Sequence, residues 1–314
     1  MKNSPLVSVV IVTYNHAQFI LECLESVRCQ TYNEIELVVS DDCSSDKTLD
    51  IVNDWVEKHS DRFAHVSVLS NNTNLGISGN YTKASIAATG IYIKHLGGDD
   101  ILATTAIEDF VEFLSKNNAL WCMCSLIRFF DSSDESDLLR VSCFTSKVLR
   151  KPNAKKQLTH LIANNYILTP GVFMKREILQ NVGYFGDSYR TKEDYYTYIK
   201  ILLQGYYLMY LPKPLVYWRR HKDAVSFSSS SEVRRNYYLE DLKIAREYRL
   251  PNVSHWNIII RIQVFVSMLE KEILIKWPKI SERKVRAIYL LSPYRVMISL
   301  YNKIGRILHT LRCS

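Results

Sequence analysis

The hydrophobic positions of residues 5–130 fall into short continuous runs separated by stretches with helical spacing. Leu6–Thr13, Ile35–Val39, His65–Leu69 and the run from Ile91 to Leu96 read as strands, and the first two are apolar enough to be covered on both faces. Residues 16–29 place Phe19, Ile20, Cys23, Leu24 and Val27 on one face of a helix. A second helix opens at Ser44-Ser45-Asp46, with Ser44 or Ser45 as N-cap, and continues through Leu49, Ile51, Val52 and Trp55. Asn71 to Gly76 reads as a loop, and the small residues Ala84 to Ala88 as a helix stopped by Gly90. This order predicts an α/β fold with a doubly wound, mostly parallel sheet.

Beyond residue 130 the pattern is mixed. Residues 131–140 form an acidic, Ser-rich loop, and Thr169-Pro170-Gly171 a turn or strand entry. A helix is predicted near 193–204, and strands at Tyr206–Leu211 and Leu215–Arg219 flank Pro212 and Pro214. Ser226 to Ser231 reads as a linker. Three helices follow, about 231–249, 254–276 and 281–312, the last broken at Pro293. The expected organisation is one domain over 1–230, in halves 1–130 and 131–230, and a helical extension over 231–314.

Three of the strands end in polar or acidic residues: Tyr14-Asn15, Ser40-Asp41-Asp42 and Gly97-Gly98-Asp99-Asp100. In open α/β sheets ligands bind at the carboxyl ends of the strands. Acidic clusters there repel an anion by themselves, but suit a divalent metal lying between them and a diphosphate. Asp99-Asp100 can equally be a turn with a helix cap.

Composition narrows the classes. At 47% hydrophobic and 23% charged residues, the 314-residue chain is of ordinary globular type. No uninterrupted apolar stretch is long enough for a membrane-spanning helix, and the run at Leu6–Val12 lacks a cleavage site, so it reads as a strand rather than a signal peptide. The cysteines at 23, 29, 43, 122, 124, 143 and 313 show no paired CxxC spacing, which argues against zinc and for a reduced, cytoplasmic setting. Residues 271–314 hold 10 Lys and Arg against 2 Asp and Glu, a net +8. The whole chain is also +8, so residues 1–270 are neutral and the tail alone faces an anionic partner.

In their order along the chain these segments resemble the family 2 glycosyltransferases of the GT-A fold. The resemblance covers residues 4–225. It rests on Pro5 to Asn15, Ser26-Val27-Arg28-Cys29-Gln30-Thr31-Tyr32, Glu36 to Asp46, Asn74-Leu75-Gly76, Gly97-Gly98-Asp99-Asp100, Glu193-Asp194 and Arg219-Arg220-His221. Cys43 stands where that family usually has Gly or another small residue, and the metal motif is Gly-Gly-Asp-Asp rather than a strict Asp-x-Asp.

The resemblance implies an inverting transfer of a hexose, glucose or galactose, from a UDP-sugar with Mn²⁺ or Mg²⁺, giving a β linkage. It makes 1–130 the nucleotide-binding half and 131–230 the acceptor-binding half. Tyr14, Asn15 and Asp42 would hold the nucleoside, with Asp41 the weaker of its pair. Asp99 would contact ribose and metal, Asp100 the metal more directly, and His221 would complete the metal shell. Arg219 and Arg220 would meet the diphosphate. Asp194 would be the base that deprotonates the acceptor, Glu193 its neighbour that orients it, and Thr169 to Gly171 a wall of the acceptor pocket. From residue patterns alone Tyr14 is a strand edge, Asp42 a helix cap, Glu193-Asp194 a favourable first turn and His221 part of a solvated basic turn.

The tail alternates basic residues with Trp277, Tyr289 and Tyr301, which suits an interfacial helix set on anionic lipid, or else packing on the catalytic domain or in a homodimer. No nucleic-acid motif accompanies the charge. Together with the family resemblance this implies a peripheral enzyme at the cytoplasmic face of the inner membrane. It would act on a polyprenyl-diphosphate-linked GlcNAc or GalNAc in O-antigen or surface polysaccharide synthesis. A nucleotidyltransferase would need a Gly-rich phosphate loop after the first strand, where this chain has Thr13-Tyr14-Asn15-His16-Ala17-Gln18, and a dinucleotide oxidoreductase fails on the same ground. A non-catalytic assembly protein would not need both the Asp99-Asp100 and Glu193-Asp194 pairs.

Overall fold

A computed structural model describes residues 4–130, 140–142, 149, 153–186, 189–221 and 231–277. The acidic run at 131–139, residues 226–230 of the predicted linker and the predicted helix over 281–312 lie outside the described residues. The chain divides into two units, Met1–Ser228 and Ser229–Ser314.

The first unit begins with β1 (Val7–Thr13), α1 (Ile20–Arg28), β2 (Ile35–Asp41), α2 (Thr48–His59), β3 (His65–Ser70), α3 (Gly76–Ala87) and β4 (Tyr92–Gly97). It continues with β5 (Ile101–Leu102), α4 (Ala106–Lys116), β6 (Trp121–Phe130), β7 (Arg140–Ser142), α5 (Ala154–Ala163), β8 (Val172–Lys175), α6 (Arg176–Val182), α7 (Glu193–Leu203) and β9 (Met209–Arg220). The strands form one sheet in the order β3-β2-β1-β4-β8-β6-β9-β5, with β7 on β6. The pairs β3-β2, β2-β1, β1-β4 and β6-β9 are parallel, whereas β8 and β5 run antiparallel to their neighbours.

Every residue of β1 and β2 is buried, as continuous apolar runs require when helices cover both faces of a sheet. Val9, Ile11, Leu37, Val39 and Leu96 meet Ile20, Leu24 and Val27 of α1, Trp55 of α2, Phe110 of α4 and Phe173 of β8 in one core. Thr13 pairs with Asp41 and Val12 with Gly97, so β1, β2 and β4 finish level at their carboxyl ends.

Polar braces fix both edges. Glu36, fully buried, accepts from the Ser8 hydroxyl and from Thr89 N and Oγ1 at 2.8 and 2.9 Å. A Cβ on Gly90 would lie 2.6 Å from Ser8 N, so only glycine lets β4 enter beside β1. Gln30 donates to Ser26 O and Ala103 O and accepts from Ile107 N, and so ties the end of α1 to the start of α4.

Several boundaries differ from the sequence expectation. The first helix starts at Ile20 rather than at residue 16, because His16 N is bonded to Thr48 Oγ1 and Ala17 N to Asp46 Oδ2 instead of entering a helix. The second starts at Thr48, with Lys47 at the N-cap position and Thr48 N donating to Asp46 Oδ1, whereas Ser44 and Ser45 are engaged with Asp41 and Asn15. The third extends back to Gly76, through residues without apolar periodicity. The two strands expected around Pro212 and Pro214 are one strand, β9. Register shifts against Cys124 and Ser125 absorb the residues that cannot donate to the ladder.

In the second unit α8 (Ser231–Ile244) runs into one π-turn, Ala245–Arg249, and α9 (Ile258–Lys276) packs back on it. Tyr238 meets Leu274, and Arg246 pairs with Glu272 at 2.9 Å. Among the described residues no helix is long and apolar enough to cross a membrane.

Candidate functional site

The level ends of β1, β2 and β4 bring the polar residues of all three loops to one edge. Tyr14 is 46% exposed there, an aromatic ring left in the open. Asn15 and Cys43 both adopt left-handed backbone, at φ 54° and 64°. At Cys43 a Cβ strains that conformation, which glycine adopts freely. Asn15 Oδ1 accepts from Ser45 N at 2.8 Å and Asn15 N donates to Ser44 Oγ at 2.8 Å, which laces the two loops together.

Asp41 is turned inward and holds Ser44 through its amide and hydroxyl. Asp42 is 4% exposed, and its carboxylate accepts from Leu75 N, Gly76 N and Asn71 Nδ2 at 2.8, 2.9 and 3.0 Å. It therefore anchors the start of α3 and keeps about one lone-pair site for another donor. Asp42→Ala should lower stability by about 1–3 kcal/mol, read from denaturant unfolding, because it orphans buried N–H groups. An unchanged midpoint would remove this anchoring role.

At the end of β4, Asp100 is 3% exposed and accepts Arg219 N at 3.0 Å. Burial and then the neighbouring Asp99 hold its carboxyl well above the usual carboxylate range. The Nε2 of His221 lies 3.2 Å from Asp99 Oδ2. Arg219 is buried, donates from Nε to Asp99 O at 2.8 Å and pairs with Glu22, with its guanidinium against Phe19 and Phe129. It acts as a strut beneath the acidic pair. Arg220 lies instead over Trp218, so the two arginines diverge.

Around Gly98 three buried polar atoms lack a protein partner: Thr13 Oγ1, His16 Nδ1 and His221 Nδ1. A Cβ on Gly98 would lie 2.8 Å from both His16 Nδ1 and Thr13 Oγ1, so the glycine keeps this cradle free. Burial holds the His16 imidazole below its ordinary value, against the pull of Asp99. Unsatisfied buried groups are costly, which points to a polar ligand here. Among the described residues no three His, Cys, Asp or Glu side chains converge as a closed metal shell. The oxygen set of Asp99 and Asp100 beside His221 fits a hard cation completed by a ligand's phosphates, as Mg²⁺ commonly is.

The second carboxylate pair opens α7. Glu193 is 6% exposed. Asp194 lies in the first turn, where the helix dipole favours its charge. Its Oδ2 accepts the Thr169 hydroxyl at 2.8 Å, and its Oδ1 accepts Tyr195 N. Lys94, fully buried on β4, donates from Nζ to His95 O and Pro170 O, both at 2.6 Å, and so pins the turn that carries Thr169. Burial pushes this ammonium down to about 8. The two carboxylate pairs lie within reach of one phenol: Tyr81 is raised first by burial, then by the charges of Glu193, Asp100 and Asp99.

The sequence reading did not single out Thr13, His16 or Lys94. A histidine directly after a strand-end Tyr-Asn was the available signal for His16. A lysine inside an apolar strand was the signal for Lys94.

Residues 8–183 match the family described as Glycosyl transferase family 2. The chain is 28% identical over 249 residues to an Escherichia coli protein, WfaP, covering 78% of this chain and 90% of that one. WfaP is described as a UDP-Glc:alpha-D-GlcNAc-diphosphoundecaprenol beta-1,3-glucosyltransferase. Among solved structures, TarS of Staphylococcus aureus aligns with a TM-score of 0.60 at 20% identity, over 87% of this chain and 73% of that one. The mannosyltransferase PcManGT of Pyrobaculum calidifontis, solved with GDP-Man and Mn²⁺, aligns with a TM-score of 0.59 at 19% identity, over 95% of this chain and 84% of that one. The fold is GT-A, as expected from the sequence.

Proposed function

This chain belongs to glycosyl transferase family 2 and is a glycosyltransferase, and from that premise we propose that it moves a hexose, glucose or galactose, from a UDP-sugar to a lipid-diphosphate-linked N-acetylhexosamine. The observation that carries this reading is the level edge of β1, β2 and β4, which gathers Tyr14, Asp42 and the Asp99-Asp100 pair around a cradle of unpartnered polar atoms. The description of WfaP supports the UDP-sugar donor and the lipid-diphosphate-linked acceptor, and the role we propose is in surface polysaccharide synthesis such as O-antigen.

In this reading Tyr14 stacks on the uracil, and Asp42 uses its remaining acceptor capacity for the ring N–H while anchoring α3. Asn15 braces the loop between them. Asp99 and Asp100, with His221, would hold a divalent cation, Mn²⁺ or Mg²⁺. When bound it supplies positive charge beside the diphosphate, and the Mn²⁺ in PcManGT supports the choice of metal. Arg219 keeps the acidic pair in place from below.

Asp194 takes the proton of the acceptor hydroxyl, and Glu193 helps to hold its helix turn. The hydroxyl oxygen bonds to the anomeric carbon as the bond from that carbon to the diphosphate breaks, and the electron pair leaves with UDP. One displacement inverts the centre, so an α-linked donor gives a β linkage. Thr169 donates to Oδ2 and Tyr195 N to Oδ1, which orients the carboxylate without using all its lone pairs.

The second unit supports attachment to an anionic membrane surface at the cytoplasmic face. Trp256, Phe265, Leu269 and Trp277 are 93%, 49%, 50% and 49% exposed, an apolar set that an interface would cover. Of the basic tail 271–314, residues 278–314 lie outside the described residues.

The test offers the purified chain UDP-, GDP- and dTDP-sugars with Mn²⁺ and a synthetic GlcNAc- or GalNAc-diphosphate-lipid. Transfer from one UDP-hexose, abolished by EDTA, is expected. Equal transfer to a water-soluble sugar without lipid and diphosphate would overturn the acceptor assignment.

A further inference from the structure

On the parallel pair β6-β9, Arg128 stands opposite Trp218, Phe129 opposite Arg219 and Phe130 opposite Arg220. Alternation along the strands sets Arg128, Trp218 and Arg220 on one face, and Phe129 with Arg219 on the other. The contacts agree. Arg219 lies 4.6 Å from the Phe129 ring centroid, while Arg128 and Arg220 lie 5.0 and 4.5 Å from that of Trp218.

Two guanidinium groups therefore share one half-buried indole. The Arg128 Nε is buried and has no hydrogen-bond partner. Two guanidinium groups on one indole, with an Nε donor left unused, suit the oxygens of a phosphate.

The position selects among anions. The Asp99-Asp100 pair is braced by Arg219, which lies against Phe129 on the other face of β9. On the patch side, the Leu126 side chain lies 3.2 Å from where a Cβ of Gly171 would stand, in the turn whose Thr169 holds Asp194. Arg128 is the next residue on that face, roughly 7 Å further along the strand. A phosphate held there lies on the sheet face that carries the Thr169-Pro170-Gly171 turn.

We propose that Arg128 and Arg220, stacked on Trp218, form a second phosphate site that grips the diphosphate of the acceptor rather than that of the donor. The proposal rests on the lipid-diphosphate reading of the acceptor given above. It adds a division of labour: one face of the end of β9 serves the donor and the other face the acceptor.

The test compares a GlcNAc-diphosphate-lipid with the same sugar as a phosphate-free lipid glycoside, using the full chain and its Arg128→Gln and Arg128→Lys variants. R128Q should raise KM for the diphosphate acceptor about 10- to 100-fold, the loss of a charged hydrogen bond, and bring it toward the KM of the phosphate-free acceptor. R128K should recover part of the difference. Weakened Mn²⁺-dependent UDP binding in R128Q would assign the patch to the donor and overturn the proposal. An equal decline with both acceptors would reduce Arg128 to a packing role and overturn it as well.

A binding arm separates this proposal from the reading beneath it. Farnesyl diphosphate is titrated into the UDP-saturated protein and followed by tryptophan fluorescence. Binding that R128Q weakens, with no lipid-linked sugar glycosylated, would sustain the phosphate site and sink the acceptor reading. Brisk transfer to the lipid-linked sugar that R128Q leaves untouched would do the reverse.

Discussion

Asp194→Ala is expected to lower transfer by roughly 100- to 10,000-fold, the usual contribution of a positioned general base, while UDP binding persists. Nothing described in the nucleotide edge depends on this carboxylate, whose hydrogen bonds are to Thr169 and Tyr195. The fold should survive, since a first-turn carboxylate adds only about 0.3–1 kcal/mol through the helix dipole. Thr169→Val should produce a smaller loss confined to kcat, because it frees the base to rotate without removing it. Single-turnover transfer alongside UDP titration reads both effects. Retained turnover in the alanine variant would take the role of base away from Asp194.

The second large effect falls on the other pair. Asp100→Asn should abolish the Mn²⁺ dependence of UDP binding and cut transfer by roughly 100- to 1,000-fold, the scale seen when one electrostatic stabiliser of a developing charge is removed. Asparagine keeps an oxygen for Arg219 N and removes a buried charge next to Asp99. The cation-free variant should therefore melt no lower than the wild type, and the rise in Tm on adding Mn²⁺ with UDP should vanish. A variant that still gained stability from Mn²⁺ with UDP would show that the cation is held elsewhere.

The apolar runs were enough to read the parallel half of the sheet, because strands covered on both faces have little else they can be. The order of Asp41-Asp42, Asp99-Asp100 and Glu193-Asp194 was enough to mark candidate members of the site. What those residues do for the fold was less legible. Asp42 lies 33 and 34 residues from the amides it anchors, so its capping of α3 leaves no local signature. The helix α3 itself has no apolar stripe, and the sequence showed only its last turn. Arg219 and Arg220 are adjacent in sequence and looked like one clamp. The side-chain alternation of β9 sends them to opposite faces, a consequence of strand geometry that only the register through the bulge at Cys124 and Ser125 makes plain. Thr13 Oγ1, His16 Nδ1 and His221 Nδ1 matter through what these atoms lack, an internal partner, and an absence cannot be read from a string of letters.

Lys94 carries a consequence for how the enzyme can move. Its buried ammonium grips the backbone of β4 and the turn at Pro170 at once, like a rivet through two plates. In the proposed function the plates are the edge assigned to the nucleotide and the turn beside the assigned base. Sliding one past the other would strand a charge in a dry interior, so hydrogen exchange should find the two opening together. Donor and acceptor then meet at a spacing set once, when the chain folds. Such an enzyme works as a fixed jig, and its choice of sugars is made by what the gap admits.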